Sequence, residues 1–270
     1  MDNGAQGRTQ KPATAARMYD YYLGGIHNFP ADREAADKIM AQFPFVPMAA
    51  RTNRAFVRRA VRQLVDAGVR QFLDLGSGIP TVGNVHEIAQ KQAPDTRVAY
   101  VDIDSVAVAE SLEILEGNER ATAVRADLRN PRAVLDHPGV RRLLDFDQPI
   151  GLVMAAVLHF VPEDAEAYDL VAQFVAALAP GSYLVLSHIA AEAFVADSDE
   201  GRAAREVYQR RTATPVWSRS RAEVQRFFAG LELLDPGLVE VHEWRPDEDA
   251  LEDLGDNQRS GSWAGVGRKG

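Results

Sequence analysis

Residues Phe72-Leu73-Asp74-Leu75-Gly76-Ser77-Gly78 form a short apolar run that ends in an acid and two glycines. This order is typical of a buried strand that turns tightly into a helix. Glycine has no Cβ, so a ligand can approach the backbone closely at such a turn. A plain tight turn without a ligand is the alternative interpretation. The stretch therefore predicts a strand of a parallel sheet, with a nucleotide-like ligand at its carboxyl end.

Two details of this stretch bear on the ligand. The third glycine of the dinucleotide-binding pattern is absent, with Pro80 and Thr81 nearby instead, and Asp74 lies two residues before Gly76. A fixed carboxylate disfavours a pyrophosphate at this point, whereas it attracts an ammonium group. The pattern therefore favours a ligand with an amino-acid part, and a nicotinamide-dependent oxidoreductase is the less favoured alternative.

Apolar runs and helical segments alternate along the chain from this stretch onward. Strands are predicted at 71–75, 97–101, 122–126, 150–155 and 182–187. Helices are predicted between them, at 83–92, 105–115, 131–135 and 163–178. This alternation predicts a parallel sheet with helices on both faces and right-handed crossovers. Charged helices at 192–211 and 220–228, an acidic loop at 248–258, and strands at 231–234, 238–244 and 263–268 are predicted to follow.

The N-terminal part has a different pattern. Residues 1–12 are polar and predict a disordered tail, whereas 13–49 predict a helical extension that caps the domain formed by 50–270. Three tyrosines lie close together in this extension, beside a pair of glycines. Tyr19 is our candidate for a residue that covers the ligand, since an aromatic ring can stack on a base. The alternative is that these aromatic rings pack on the sheet, and the sequence favours neither role over the other.

Acids end the second and third predicted strands as well. Asp102, followed by Ile103, is expected to accept hydrogen bonds from two ribose hydroxyls. Asp104 competes for that role, but we expect it to cap the next helix instead. Asp127 is expected to accept from an adenine amino group while Leu128 covers the ring, with a helix cap as the alternative role for Asp127. Acids at three successive strand ends indicate one shared site.

The fourth predicted strand ends in small residues followed by a histidine. Ala155 and Ala156 leave room for a ligand, and His159 is a candidate base or orienting group. A structural role for His159 is the alternative. His188, which follows the fifth strand, is a second candidate base.

Composition excludes several classes of function. The chain has 270 residues, no cysteine and a net charge of −9. The absence of cysteine excludes disulfides, thiolate metal sites and cysteine nucleophiles, and no metal-binding spacing is present. The negative charge disfavours nucleic acid as a partner. No leader or membrane-spanning stretch is evident, so we expect a cytoplasmic protein without a membrane partner, and a homodimer is left open.

Taken together, these residues resemble the class I S-adenosylmethionine (SAM)-dependent methyltransferases from about Ala50 onward. Within that class, the segments 17–32, 72–81, 100–104 and 227–244 resemble one bacterial family of methyltransferases of unknown substrate. The resemblance implies a Rossmann-like, mostly parallel seven-stranded α/β sheet with an N-terminal helical extension. Pro80, in place of the third glycine, is a departure from the broad class.

The resemblance also implies roles for individual residues. Asp74 and Gly76 would border the methionine part of SAM, and Ala155, Ala156 and His159 would lie near the sulfonium. Asp102 would bind the ribose, and Asp127 and Leu128 would flank the adenine. We expect the remaining cofactor contacts at Tyr19, Ser77, Gly78 and Ile103. The expected function is methyl transfer from SAM to a small molecule. The alternative is a catalytically silent SAM-binding sensor or partner protein.

Overall fold

The structure, a computed structural model, describes residues 12–80, 83–194, 216–247 and 261–270. The predicted tail, apart from residue 12, lies outside these ranges. So do the predicted acidic loop at 248–258 and, beyond residue 194, the predicted helix at 192–211.

One mixed sheet of eight strands organises the described part of the chain, in the order β3-β2-β1-β4-β5-β8-β6, with β7 also paired to β8. The strands are β1 (Gln71–Leu75), β2 (Arg97–Asp102), β3 (Ala121–Arg125), β4 (Gly151–Ala155), β5 (Tyr183–Ile189), β6 (Glu232–Leu233), β7 (Val239–Glu240) and β8 (Ser262–Arg268). Strands β1 to β5 are parallel, and β8 runs antiparallel to β5. The predicted mostly parallel α/β sheet is confirmed.

The two short strands β6 and β7 pair with opposite ends of β8. Leu233 lies opposite Gly267, and Val239 lies opposite Ala264. Because β6 and β7 both pair with β8, one at each of its ends, they count as one strand across the width of the sheet. The sheet is therefore seven strands wide, as predicted, although it contains eight strands.

The predicted strand at 238–244 is too long, because regular pairing ends at Glu240. The chain then turns, and the buried Arg59 takes the carbonyl oxygens of Val241 and Trp244 as acceptors, at 2.7 and 2.8 Å. These carbonyls are thereby paired with a side chain and not with a neighbouring strand.

Helices pack on both faces of the sheet. They are α1 (Ala15–Tyr22), α2 (Pro30–Gln42), α3 (Val46–Asp66), α4 (Val85–Gln92), α5 (Ser105–Ile114), α6 (Pro131–Leu135), α7 (Pro138–Leu143), α8 (Asp164–Ala176) and α9 (Arg221–Gln225), with short 3-10 turns at Leu158–Phe160, Ala191–Phe194 and Arg226–Phe228. Successive side chains of a strand point to opposite faces. Accordingly, Leu73 and Leu75 lie in the core under α6 to α9, whereas Phe72 lies in the core under α3 to α5.

Helix α3 begins at Val46, four residues before the predicted domain boundary. Pro47 lies in the first turn of α3, where a missing N–H group costs nothing. The predicted boundary between residues 49 and 50 thus falls inside α3. This helix belongs both to the cap and, through Phe56, Val57 and Leu64, to the core of the sheet.

Candidate functional site

A continuous cavity of about 1180 Å³ lies between the carboxyl ends of the strands and the helices α1 to α3. All of the predicted site residues line it: Tyr19, Asp74, Gly76, Ser77, Gly78, Asp102, Ile103, Asp127, Leu128, Ala155, Ala156 and His159. The carboxyl ends of parallel strands meet at one edge of a sheet, which is why signals that are far apart in sequence converge there.

The glycine loop after β1 bends over the end of β2. The N–H groups of Gly76 and Ser77 donate to the Val101 carbonyl, at 2.8 and 3.2 Å, and that of Gly78 donates to Oδ2 of Asp102, at 2.8 Å. Gly76 has a φ of +68°, and a Cβ there would lie 2.1 Å from Cγ2 of Val157. Gly76, the first glycine of the loop, therefore cannot be replaced by a larger residue without backbone strain and a clash with Val157.

Asp74 lies buried at the floor of the cavity. Burial raises the pKa of its carboxyl to about 7, an effect that Arg54 opposes and that the nearby Asp102 reinforces. Within the described ranges, no hydrogen bond to its side chain is formed. A cation that enters the cavity would therefore stabilise the ionised form of this carboxyl.

Asp102 and Asp104 have different surroundings. Asp102 accepts from the N–H groups of Gly78 and Asp104, at 2.8 and 2.9 Å, and its pKa is raised because of burial. A carboxylate has about four acceptor sites, so Asp102 can still accept from two hydroxyls. Asp104 caps α5, as expected, by accepting from the N–H of Val106 at 2.9 Å.

Asp127 is held by Arg129. The two side chains form a bidentate pair, with 3.0 Å from Nε to Oδ1 and 2.6 Å from Nη2 to Oδ2, and this contact lowers the pKa of Asp127. The alternative role of Asp127 as a helix cap is wrong, because α6 is capped by the side chain of Asn130. Asp127 is thus an ionised acceptor at the rim of the cavity.

A chain of hydrogen bonds joins the end of β4 to the cap. Ala156 has a φ of +53°, which is unusual for a residue other than glycine. Its N–H donates to Oγ of Ser187 at 3.0 Å, and that hydroxyl donates to Oδ1 of Asn53 at 2.5 Å. Nδ2 of Asn53 donates to the Tyr19 hydroxyl, which donates to the Ala50 carbonyl, both at 3.0 Å. Tyr19 is therefore fixed at the cavity by polar contacts that its sequence context does not reveal.

The two histidines at the cavity differ in their contacts. His188 donates from Nδ1 to the carbonyl of Ile189 at 2.9 Å and accepts from Arg219 at Nε2, also at 2.9 Å. Burial lowers the pKa of His188 to about 3. His159 is also buried, which holds its pKa well below the usual range, and its buried Nδ1 has no hydrogen-bond partner among the described residues. Both ring nitrogens of His188 are thus engaged, whereas one of those of His159 is not.

Arg219 is a functional-site residue that sequence reasoning missed. It is 2% exposed and pairs through Nε with Oδ1 of Asp164 at 2.9 Å. Its Nη1 and Nη2 donate to the carbonyls of Leu158 and Val161, at 3.1 and 2.9 Å. These bonds fix the turn that carries His159. No local signal in the sequence distinguishes Arg219 from the other arginines around it.

The N-terminal cap is locked to the sheet through Arg17 and Asp32, which are 2% and 0% exposed. Nε of Arg17 lies 2.9 Å from Oδ2 of Asp32, and Nη1 lies 3.2 Å from Oδ2 of Asp104. The Thr14 hydroxyl donates to the same Asp104 oxygen at 2.6 Å. These contacts hold the start of α1 above the glycine loop, where it forms part of the cavity wall.

Two absences concern only the part of the chain that the structure describes. None of its helices combines the length and apolar character needed to cross a membrane. In the same ranges, no group of three or more histidine and acidic side chains is arranged to hold a metal ion.

A family model described as S-adenosyl methyltransferase matches residues 4–270. The chain belongs to this family. A solved DUF574 family protein from Streptomyces avermitilis MA-4680 is 40% identical to this S-adenosyl methyltransferase, with a TM-score of 0.86 over 96% of this chain and 98% of that one. A candidate methyltransferase from Thermobifida fusca YX is 38% identical, with a TM-score of 0.85 over 96% and 95% of the two chains. No curated protein matches the chain significantly.

A more distant likeness concerns the fold alone. The plantazolicin methyltransferase BamL, solved with S-adenosylhomocysteine and a triazolic desmethylPZN analog, is 11% identical over 94% of this chain and 95% of that one. Its TM-score is 0.55. The Rossmann-like arrangement of this S-adenosyl methyltransferase thus recurs where almost no sequence likeness remains.

SAM is the cofactor of this S-adenosyl methyltransferase, and the cavity residues fit it. Asp74 is a buried carboxyl without a partner among the described residues, which suits the ammonium group. Asp102 has acceptor capacity left for hydroxyls. Charge and hydrogen-bonding capacity at this edge of the sheet therefore agree with the cofactor.

Proposed function

We propose that this S-adenosyl methyltransferase methylates a small molecule that binds in the same cavity as the cofactor. The observation that carries the proposal is the size of the cavity, about 1180 Å³. A pocket for one drug-sized ligand has about 300–1,000 Å³. The excess is expected if two ligands must lie side by side.

Within this proposal the cofactor lies at the ends of β1 to β3. Asp74 binds the ammonium group, Asp102 and Ile103 contact the ribose, and Asp127 and Leu128 flank the adenine. The remaining proposed contacts are Tyr19, Gly76, Ser77, Gly78, Ala155 and Ala156. The acids support this placement because each carries acceptor groups that face the cavity at a different strand end.

The acceptor would lie beyond Ala155 and Ala156, under the cap. This part of the wall is largely apolar and aromatic: Met18, Tyr22, Ile39, Phe43, Phe45, Val46 and Phe160. Such a lining favours a compact molecule with an apolar or aromatic body. The net charge of −9 supports the choice of a small molecule over a nucleic acid.

When bound, SAM supplies a methyl group on a sulfonium, which is already a good leaving group. The work left to the chain is to align the acceptor and to exclude water. The small side chains of Ala155 and Ala156 leave space for this alignment. The neutral ring of His159 can accept a hydrogen bond from an acceptor hydroxyl or amine, and its lowered pKa keeps it unprotonated at neutral pH.

An activity screen tests the proposed acceptor class. The full chain is incubated with SAM and, separately, with small phenols, amines and thiols, with transfer RNA and duplex DNA, and with unfolded protein. Formation of S-adenosylhomocysteine and of a methylated product is measured. Turnover on small molecules is expected. Turnover only on the polymers would contradict the proposal, and tight cofactor binding without any turnover would favour the silent binding protein.

A binding experiment tests the cofactor placement on its own. Asp102→Ala is expected to weaken S-adenosylhomocysteine binding at least about 10-fold in calorimetry, because two charge-assisted hydrogen bonds are lost. Asp95→Ala, which removes an exposed acid near the opposite, amino end of β2, serves as the control. Unchanged affinity in Asp102→Ala would remove Asp102 from the site.

A further inference from the structure

The charged side chains that line the described part of the cavity wall are unevenly distributed. Arg54, on α3, is a neighbour of Asp74, whose pKa it lowers. Glu34 and Lys38 lie on α2. The others lie at or just after the carboxyl ends of β1 to β3: Asp74, Asp102, Asp104, Arg125, Asp127 and Arg129. Apart from the pair on α2, these charges therefore belong to the side of the cavity where the cofactor is proposed to bind.

The pair on α2 is exposed and complete. Nζ of Lys38 lies 2.8 Å from Oε1 of Glu34, and both side chains are 70% exposed. The two charges are thus compensated by each other and by water at the outer surface of the helix. Neither of them is a buried charge that a ligand could match.

The inner surface of the cap, which we call the cap wall, is largely apolar. On α1 and at the end of α2 its side chains are four residues apart, a spacing that places them on one face of a helix. The members of the cap wall are Met18, Tyr22, Ile39, Phe43, Phe45 and Val46. Each of them is buried or only partly exposed. A molecule seated on this surface therefore meets aromatic and aliphatic groups.

The groups across the cavity from the cap wall add no charge that a ligand could match. Burial holds the pKa values of His159 and His188 below the usual range, so both rings are neutral at pH 7. Arg219 is the buried cation next to His188. It pairs with Asp164, and each of its three side-chain nitrogens already donates to a protein acceptor.

The polar side chains that join the cap to β5 are occupied as well. The Ser187 hydroxyl donates to Asn53, Asn53 donates to the Tyr19 hydroxyl, and that hydroxyl donates to a backbone carbonyl. Groups that are satisfied within the protein offer little compensation to an ion that leaves water. The described surroundings of the acceptor are therefore electrically neutral.

We propose that the methyl acceptor is an aromatic or otherwise apolar molecule without an ionised group, seated on the cap wall with a hydroxyl or aromatic amine toward His159. The inference rests on the proposed function, which places the acceptor under the cap. A carboxylate, phosphate or ammonium group would lose its water there without meeting an opposite charge on the described wall. Amino acids, organic acids and sugar phosphates are thereby excluded, although their size alone would allow them.

Two dyes with the same aromatic skeleton test the inference. N-phenylnaphthylamine is uncharged, and anilinonaphthalene sulfonate is its sulfonated derivative. Both are titrated by fluorescence into the full chain saturated with S-adenosylhomocysteine, so that the cofactor side is filled. The uncharged dye is expected to bind at least about 10-fold more tightly, because the sulfonate must be desolvated without a partner.

A charge placed on the cap wall should change this preference. Ile39→Lys is expected to weaken binding of the uncharged dye and to strengthen that of the sulfonated dye, each by about 10-fold. Met18→Lys places the same charge on α1 and provides the test if Ile39→Lys fails to fold. Leu112→Lys is the control, since Leu112 is 48% exposed on α5 and does not line the cavity. It should leave both affinities unchanged.

Each outcome has a separate meaning. Equal or tighter binding of the sulfonated dye by the wild type would overturn the inference. A preference that neither lysine variant on the cap wall changes would overturn it too, because the dyes would then bind elsewhere. If the chain binds S-adenosylhomocysteine but neither dye beside it, the proposal that a small molecule shares the cavity with the cofactor is contradicted instead.

Discussion

Nη1 of Arg219 lies 2.9 Å from Nε2 of His188, and this hydrogen bond decides the state of the histidine. A guanidinium group can only donate, so Nε2 must accept. Nδ1 then carries the proton that it donates to the carbonyl of Ile189. His188 is thereby held neutral with both nitrogens engaged. Of the two histidines at the cavity, His159 is the one with a ring nitrogen, the buried Nδ1, that has no partner among the described residues.

Replacing Arg219 by methionine should raise the pKa of His188 above its value of about 3. The pKa should remain below 6.5, because burial is the main cause of its low value. The free energy of unfolding should also fall by about 2–4 kcal/mol, since the carbonyls of Leu158 and Val161 lose their donor. Histidine NMR titration and urea unfolding measure the two effects. Arg226→Met, at an exposed position, should change neither, and an unmoved His188 titration would refute the assigned contact.

Binding of S-adenosylhomocysteine should weaken as the pH falls below about 7, the pKa of the Asp74 carboxyl in the free protein. The groups around this carboxyl are Arg54, Asp102 and Tyr100. The ligand's ammonium favours the ionised form, so below this pKa a proton must leave before the ligand can bind. The affinity should then fall about tenfold for each pH unit.

Calorimetry in buffers of different ionisation enthalpy would detect the released proton. Asp74→Asn should bind more weakly at neutral pH but without the acid dependence. An equally steep pH profile in Asp74→Asn would assign the proton to another group.

Gly76→Ala should abolish cofactor binding and lower stability. The added Cβ would lie 2.1 Å from Cγ2 of Val157, in addition to the strain of a φ of +68°. Gly117→Ala is a matched control, because Gly117 has a φ of +81° with open space around it. Gly117→Ala should lower the free energy of unfolding only by the cost of the strained backbone conformation, about 1–2 kcal/mol. Val157→Ala should partly rescue Gly76→Ala, and a lack of rescue would show that the close contact is not the cause.

Replacing Arg17 by methionine should destabilise the protein by about 3–5 kcal/mol, because it leaves the fully buried Asp32 without its cation. Amide hydrogen exchange should accelerate most in α1. Lys38→Met breaks an exposed pair with Glu34, both side chains being 70% exposed, and should have little effect. Arg17→Met combined with Asp32→Asn should recover part of the loss. Unchanged exchange in α1 would mean that the cap is held by other contacts.

The fold could be predicted because its signals are local. Strand β1 begins and ends at the predicted residues, since an apolar run bounded by polar residues and glycines needs no distant information. The shared cavity followed from the rule that parallel strands end at one edge. The roles of the individual site residues remain predictions, because they concern the cofactor and not the chain alone.

The contacts that shape the site could not be predicted, because they join residues that are distant in sequence. Arg17 meets Asp104, and Asn53 meets Ser187, in pairs with no spacing pattern. Arg54 is different, since a cation on an otherwise apolar helical stripe is visible in the sequence. Helix α3 runs across residue 50 because Pro47 is compatible with the first turn of a helix as well as with its interruption.

The position of β8 has a consequence for how the protein is made. This strand lies between β5 and the pair β6 and β7, although it follows all three in the chain. While the ribosome is still synthesising residues 190–261, the outer edge of β5 lacks the partner it has in the finished sheet, and β6 and β7 have nothing to pair with. An unpaired strand edge is a template for association with other chains. The nascent polypeptide is therefore most exposed to aggregation just before translation supplies the strand that joins the two parts.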